Sequence, residues 1–158
     1  MTAGNLIGEL GEQLGVGALE PNEAGEVVLT FDGMPVSIVC TDADERVLLS
    51  ADLGAVPDHG AAFFMRQMLQ SNHLLAATCG ATLSIDKDGG QFCLCRSESL
   101  AALDMDRFLR ILESFVNRVA EWREVLAGAE DIGSRIEARQ LELKDLDHRL
   151  GNGEVVRV

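Results

Sequence analysis

Apolar residues at Leu6, Leu10 and Leu14, with Ile7 beside them, keep the i, i+4, i+8 spacing of one helical face, so a short helix is expected over residues 5–14. Gly8 and Gly11 fall inside it, which means packing rather than intrinsic propensity must hold it. Residues 15–25, with Pro21 and Asn22, read as loop. The period then shortens to two. Glu26–Phe31 and Met34–Thr41 flank Asp32-Gly33, the dipeptide of a type I′ hairpin turn. A polar turn over residues 41–45 leads into a third strand, Arg46–Asp52, completing an antiparallel meander. Val27, Leu29 and Phe31 alternate with Val28 and Thr30, while Val47, Leu48 and Leu49 run unbroken. Strands apolar on both faces predict a cover on each, from a second layer or a partner chain.

The strand pattern ends at Val56-Pro57-Asp58, and Asp58 is the expected N-cap of a second helix. That helix carries Ala62, Met65, Met68, Leu69 and Asn72 on one side, with Phe63 and Phe64 widening the apolar surface. Methionine beside phenylalanine suits either a core or an adaptable contact surface. A second hairpin follows, residues 81–86 and 91–96 around Lys87-Asp88-Gly89-Gly90, with Leu83 and Ile85 pointing inward. Asp104 should cap a long helix whose apolar positions Phe108, Leu112, Phe115, Val119, Trp122 and Leu126 form an a/d seam. Asp131–Leu150 repeats the spacing with Ile132, Ile136, Leu143, Leu146 and Leu150, set off by Gly128 and Gly133. It reads as an amphipathic appendage, docked or paired with another helix, ahead of a frayed tail.

The predicted fold class is therefore α+β: helix, three-stranded antiparallel meander, helix, β-hairpin and long C-terminal helix, plus an extra C-terminal amphipathic helix. Residues 1–127 form the expected domain, and residues 128–158 a helical extension and tail. A chain of 158 residues, 47% hydrophobic and 25% charged, can bury such a core.

Charge narrows the partners. Thirteen Lys and Arg against 26 Asp and Glu leave a net charge of −13. Residues 1–60 hold Glu9, Glu12, Glu20, Glu23, Glu26, Asp32, Asp42, Asp44, Glu45, Asp52 and Asp58 against Arg46 alone. Such a balance argues against nucleic acid and against an anionic membrane surface, and favours either solubility or a basic partner. With no base before Arg46 there is no basic start for a signal peptide, and no apolar run reaches membrane length. A bacterial cytoplasmic location is expected.

Candidate chemistry is sparse. Cys40, Cys79, Cys93 and Cys95 do not form a disulfide framework. Cys93 and Cys95 share a strand face at a separation too wide for easy bridging and lack zinc-ligand spacing. Asp86-Lys87-Asp88-Gly89 resembles the opening of a calcium loop but lacks the later ligands, so a hairpin turn is the expected use. Asp42-Ala43-Asp44-Glu45 reads as a solvated turn, with weak binding of a divalent ion as the alternative. His59, His73 and His148 have no ligand pattern around them, and phosphate-loop, dinucleotide and nucleophile-elbow motifs are missing. No cofactor, metal site or catalytic residue is expected.

The ordered series resembles the class I type III secretion chaperones of the Tir-chaperone (CesT-like) family. The likeness rests on several stretches: Leu6 to Gly15 as the opening helix, Asp32-Gly33 at the first hairpin turn, and Ala51 to Pro57 as the link into the central helix. Phe63-Phe64 through Met68-Leu69 to Asn72, Gly80 to Asp86, and Asp104 through Trp122 complete it, over roughly residues 3–127. The resemblance implies a homodimeric cytosolic chaperone, not an enzyme, that works without ATP. It would keep the N-terminal segment of a secreted effector extended for export. Its expected effector-binding residues are Leu6, Leu10, Val28, Val36, Ile38 and Leu48, and its expected dimer interface is Phe64, Met68, Leu69, Leu83 and Ile85. Two alternatives stand beside it: a bacterial adaptor of the same fold, such as the YbjN-type domains, and a small enzyme or metal protein of unrecognised chemistry.

Overall fold

The computed structural model describes residues 2–41, 43 and 45–151. Helix α1 (Ala3–Leu14) leads into β1 (Glu26–Phe31), β2 (Met34–Thr41) and β3 (Arg46–Ala55). Helix α2 (Ala61–Ser71), β4 (Thr82–Ile85), β5 (Gln91–Ser99), α3 (Met105–Leu126) and α4 (Ala129–Gly151) follow. The strands form one antiparallel sheet in the order β1-β2-β3-β5-β4. The second hairpin thus joins the meander through β5, along most of β3.

Local chemistry accounts for the boundaries. Thr2 Oγ1 accepts from the Asn5 amide (3.3 Å) to start α1, and Gly15, at φ 67°, ends it. Gly11 has a packing reason: a Cβ there would lie 2.2 Å from the Gly17 carbonyl oxygen, so the residue lets the following loop close on α1. Asp32 and Gly33 both take positive φ, 50° and 79°, as a type I′ turn requires. Asp104 caps α3 as expected, its Oδ1 accepting from the Arg107 amide at 2.7 Å. The third strand runs three residues past its predicted end, through a register shift between Asp52 and Gly54.

The core lies between one sheet face and the helices. Leu6, Ile7 and Leu10 of α1 and Phe108, Leu112, Phe115 and Val119 of α3 pack with Val36, Ile38, Val47, Leu49, Leu94 and Phe92. The other face overturns the expectation of a doubly apolar sheet. One row across it reads Val28, Ser37, Ser50, Cys95 and Thr82, and the next Glu26, Val39, Leu48 and Ser97. Small polar side chains dominate there, so that face tolerates water. Its apolar members are few, with Val28 56% and Leu48 39% exposed.

This parity fixes an expected contrast between neighbours in the sheet. Ile38→Asp places an unpaired carboxylate in the core and should cost more than about 3 kcal/mol, enough to unfold much of the population. Val28→Asp lies on the open face and should stay within about 0.5 kcal/mol of wild type. Urea unfolding followed by circular dichroism tests both; equal stability of the two variants would sink the face assignment.

Candidate functional site: a strand edge and its groove

The two edges of the sheet are not equivalent. At β4 the side chain of Asn72 brackets Leu83, its Nδ2 donating to the Leu83 carbonyl (3.0 Å) and its Oδ1 accepting from the Leu83 amide (2.8 Å). The middle of that edge is hydrogen-bonded as though by another strand. At β1 the bonding parity follows from the Cys40 amide, which donates to the Gly25 carbonyl at 3.1 Å. With the register Val27↔Ile38 and Leu29↔Val36, the odd-numbered residues bond inward to β2, and the even-numbered ones point their amide and carbonyl outward. Asn22 takes up those of Glu26, since its Oδ1 accepts from the Glu26 amide (3.0 Å) and its own amide donates to the Glu26 carbonyl (2.9 Å). Val28 and Thr30 are left, with two donors and two acceptors facing solvent among the described residues.

An apolar groove of about 330 Å³ adjoins this opening. Leu14 at the end of α1, Phe31 at the end of β1 and Leu109, Leu112 and Val116 of α3 line it, with Glu113 and Asn117 at the polar side. Leu109 and Val116, two turns apart on α3, flank the buried seam rather than belonging to it.

Four of the six residues expected to hold a client do not reach this surface. Leu6, Leu10, Val36 and Ile38 are fully buried, because α1 turns its apolar face inward and β2 has the opposite parity to the one assumed. Val28 and Leu48 lie on the open face. The groove itself was missed. Its sequence signal was the pair Leu109 and Val116 outside the a/d seam, and Phe31 before the turn.

The expected self-association residues also divide. Phe64, Met68 and Leu83 are core, and Ile85 is half-buried. Leu69 is 71% exposed, and beyond the end of α2 Leu74 is 83% exposed. Leu74 and Leu75 take positive φ, 57° and 54°, a strained conformation for leucine that presents both at the surface. Phe63 is exposed beside Phe64, edge to face.

The polar candidates are engaged elsewhere. The Cys93 thiol is pushed up to about 12 by burial and by Asp52, whose Oδ1 lies 3.5 Å away. Cys79 is exposed at φ 52° and accepts from Arg118 Nη2 at 3.0 Å, while its carbonyl accepts from Arg96 Nη1 at 2.6 Å. Among the described residues no group of three or more His, Cys, Asp or Glu is placed to hold a metal ion. Asp42 and Asp44 of the acidic turn lie outside the described residues.

Helix α4 neither continues α3 nor floats free at its start. Gly128, at φ 85°, turns the chain, and α4 docks on the segment before α2. Asp58 is not the cap of α2; Gly60 is, in a left-handed conformation and with no side chain to offer. The carboxylate comes from α4 instead. Glu137 Oε1 accepts from the Gly60 amide (2.6 Å), its Oε2 meets His59 Nδ1 (2.9 Å), and Glu130 Oε2 accepts from the Asp58 amide (2.9 Å). The backbones touch: a Cβ on Gly133 would lie 1.8 Å from the His59 carbonyl oxygen. The Gly60 amide, then His59, hold the Glu137 carboxyl below its ordinary range, and the bond to Glu137 raises His59.

Gly133→Ala should therefore lift α4 off, seen as faster hydrogen exchange at residues 129–137 with the sheet unchanged. A raised His59 contributes stability below its ordinary 6.5 and loses it as pH rises through the folded value. A lowered Glu137 contributes above its ordinary 4.5 and loses it as pH falls through its folded value. The dock should thus be firmest between those limits. Melting curves of wild type and His59→Gln across that range and above it should differ most in mildly acid buffer and converge in alkaline buffer; a constant gap would exclude the linkage.

Among the described residues no helix is long and apolar enough to cross a membrane. The fold has close relatives in shape. A chain of the ExsC–ExsE complex is similar at 24% identity and a TM-score of 0.67, over 78% of this chain and 92% of that one. A chain of the HopA1–SchA chaperone–effector complex is similar at 21% identity and a TM-score of 0.63, over 76% and 91%. A chain of the complex between the Yersinia pestis type III secretion chaperone SycH and a stable fragment of YscM2 matches at 18% identity and a TM-score of 0.62, over 77% and 99%. No curated protein sequence is significantly similar. At these identities the shared feature is the fold. The sequence itself matches the model of one family over residues 5–123, from the first turns of α1 to near the end of α3, and on that match the chain belongs to the Tir chaperone protein (CesT) family.

Proposed function

We propose that this protein is a cytosolic chaperone that holds the N-terminal segment of a type III secretion effector extended for export. The observation that carries the reading is the two-residue opening at Val28 and Thr30 beside the Leu14–Phe31–Val116 groove, within a fold of the Tir chaperone family. An extended segment adds to the β1 edge through backbone bonds, and its alternate side chains enter the groove. The groove is lined by packed helices and a strand rather than by loops, so it is largely formed before the client arrives. The role needs binding and release alone, with no reacting group.

We also propose that two copies pair through the outer side of α2 and the turn after it, where Phe63, Leu69, Leu74 and Leu75 are each exposed. Exposed leucines strained into the left-handed region are a cost that a covering surface offsets.

Affinity purification of the tagged protein from its native cytosol should bring down one larger protein, protected from protease in its N-terminal segment. Val116→Glu, which places a charge in the groove at a helix surface, should weaken that capture at least about tenfold, an effect of roughly 1.4 kcal/mol, while leaving the circular dichroism unchanged. Undiminished capture by Val116→Glu would remove the groove from the site. Light scattering should find a dimer for the wild type and a monomer of unchanged fold for the double variant Leu69→Asp, Leu74→Asp; a wild-type monomer at micromolar concentration would end the pairing proposal.

A further inference from the structure

The β1 edge carries a charge pattern as well as a hydrogen-bonding one. Glu26 opens the strand and Asp32 follows its last residue, so a carboxylate stands at each end of β1, about 20 Å apart at strand rise. Glu113 adds a third in the wall of the groove beside Phe31. Opposite charge is scarce on the strands nearby. The lone base of the first 60 residues, Arg46, lies on β3 with β2 in between, its Nε donating to Ser97 at 2.7 Å. On α3 the nearest base in sequence is Arg110, one turn before Glu113. Ser37 and Asn22 donate to the Glu26 carboxylate and hold its carboxyl below the usual range, so the charge at the start of the strand persists well below neutral pH.

We infer that the segment added at the β1 edge is an apolar stretch of about six residues flanked on both sides by Lys or Arg. The inference rests on the edge-strand reading above and specifies its client. The core length follows from the strand, in which six residue steps separate the two carboxylates. The apolar requirement follows from the groove. The requirement for bases on both sides follows from carboxylates at both ends, and it holds whether the segment runs parallel or antiparallel to β1. Long basic side chains suit the geometry, since their methylene stems lie along apolar surface while the charge reaches outward. Attraction at two or three sites near the surface is modest for each pair and screened by salt, so together they set a graded preference for basic over acidic segments.

Three labelled synthetic peptides test this, sharing a six-residue core of alternating valine and threonine and flanked at each end by two lysines, two glutamines or two glutamates. Fluorescence anisotropy with the full-length protein should rank them lysine, glutamine, glutamate. Neighbouring steps should differ by about five- to tenfold at low salt, and the differences should shrink at high salt. The double variant Asp32→Asn, Glu113→Gln should remove most of the lysine preference, read as the ratio of lysine-peptide to glutamine-peptide affinity within that variant; asparagine suits the positive φ at position 32. Equal affinity for all three peptides overturns the charge inference and leaves the edge-strand reading standing. A lysine preference undiminished in the double variant overturns the assignment of the charge to this bracket. No binding by any peptide overturns the edge-strand reading, and this inference with it.

Discussion

Strand parity governs this molecule. Each residue of the meander sends its side chain to one face and its backbone groups to one edge, and both alternate with a period of two. Once Val27, Val36, Ile38 and Leu49 face α1 and α3, the rest is fixed: Ser37, Ser50 and Cys95 face water, and the amides of Val28 and Thr30 face away from β2. A slip of one residue would bury serines and expose the core, so the packing of two helices on one face also sets which backbone groups stay open at the far edge. The candidate site is a consequence of the core rather than an addition to it.

Much of this was legible in the sequence, for reasons that are local. The type I′ turn at Asp32-Gly33 needs residues that accept positive φ, Asp104 offers a cap at the right distance, and the seam of α3 repeats over five turns. What stayed hidden was set by contacts distant in sequence. Val28, Val39 and Leu48 form a small apolar patch on the open face and made the strands look apolar on both sides; the serines and cysteines paired with them belong to strands whose order no local pattern states. The same blindness exchanged core and surface at Leu6, Leu10, Val36 and Ile38. Asp58 failed as a cap because the helix starts two residues later than its best local signal, at a glycine capped from 77 residues away.

That distant cap explains the glycines of the C-terminal helix. Gly133 read as a break in a helical pattern, and Gly60 is the residue it meets. Together they let two backbones meet, so that Glu137 can reach the Gly60 amide where a pair of alanines would hold the helices apart. The family match ends at residue 123, before α4 begins, yet α4 supplies the carboxylate that α2 lacks. The central helix of the conserved fold is therefore completed by a segment outside it.

The edges show how a sheet can stay open to one partner and closed to others. Unpaired strands invite any extended chain, and aggregation is the usual outcome. Here asparagines occupy the positions a stray strand would take: Asn72 at the middle of β4 and Asn22 at the start of β1. At β1 two residues remain unpaired among the described residues, too few for backbone bonding alone to hold a chain, since each exposed hydrogen bond adds only about 1 kcal/mol net. Stable capture then requires side chains that fit the groove between α1, β1 and α3. In the proposed function, the narrow opening makes the backbone contribution general and small and leaves the larger, selective share to Phe31, Leu109 and Val116. The proposed task, holding one segment among many unfolded chains, needs that division.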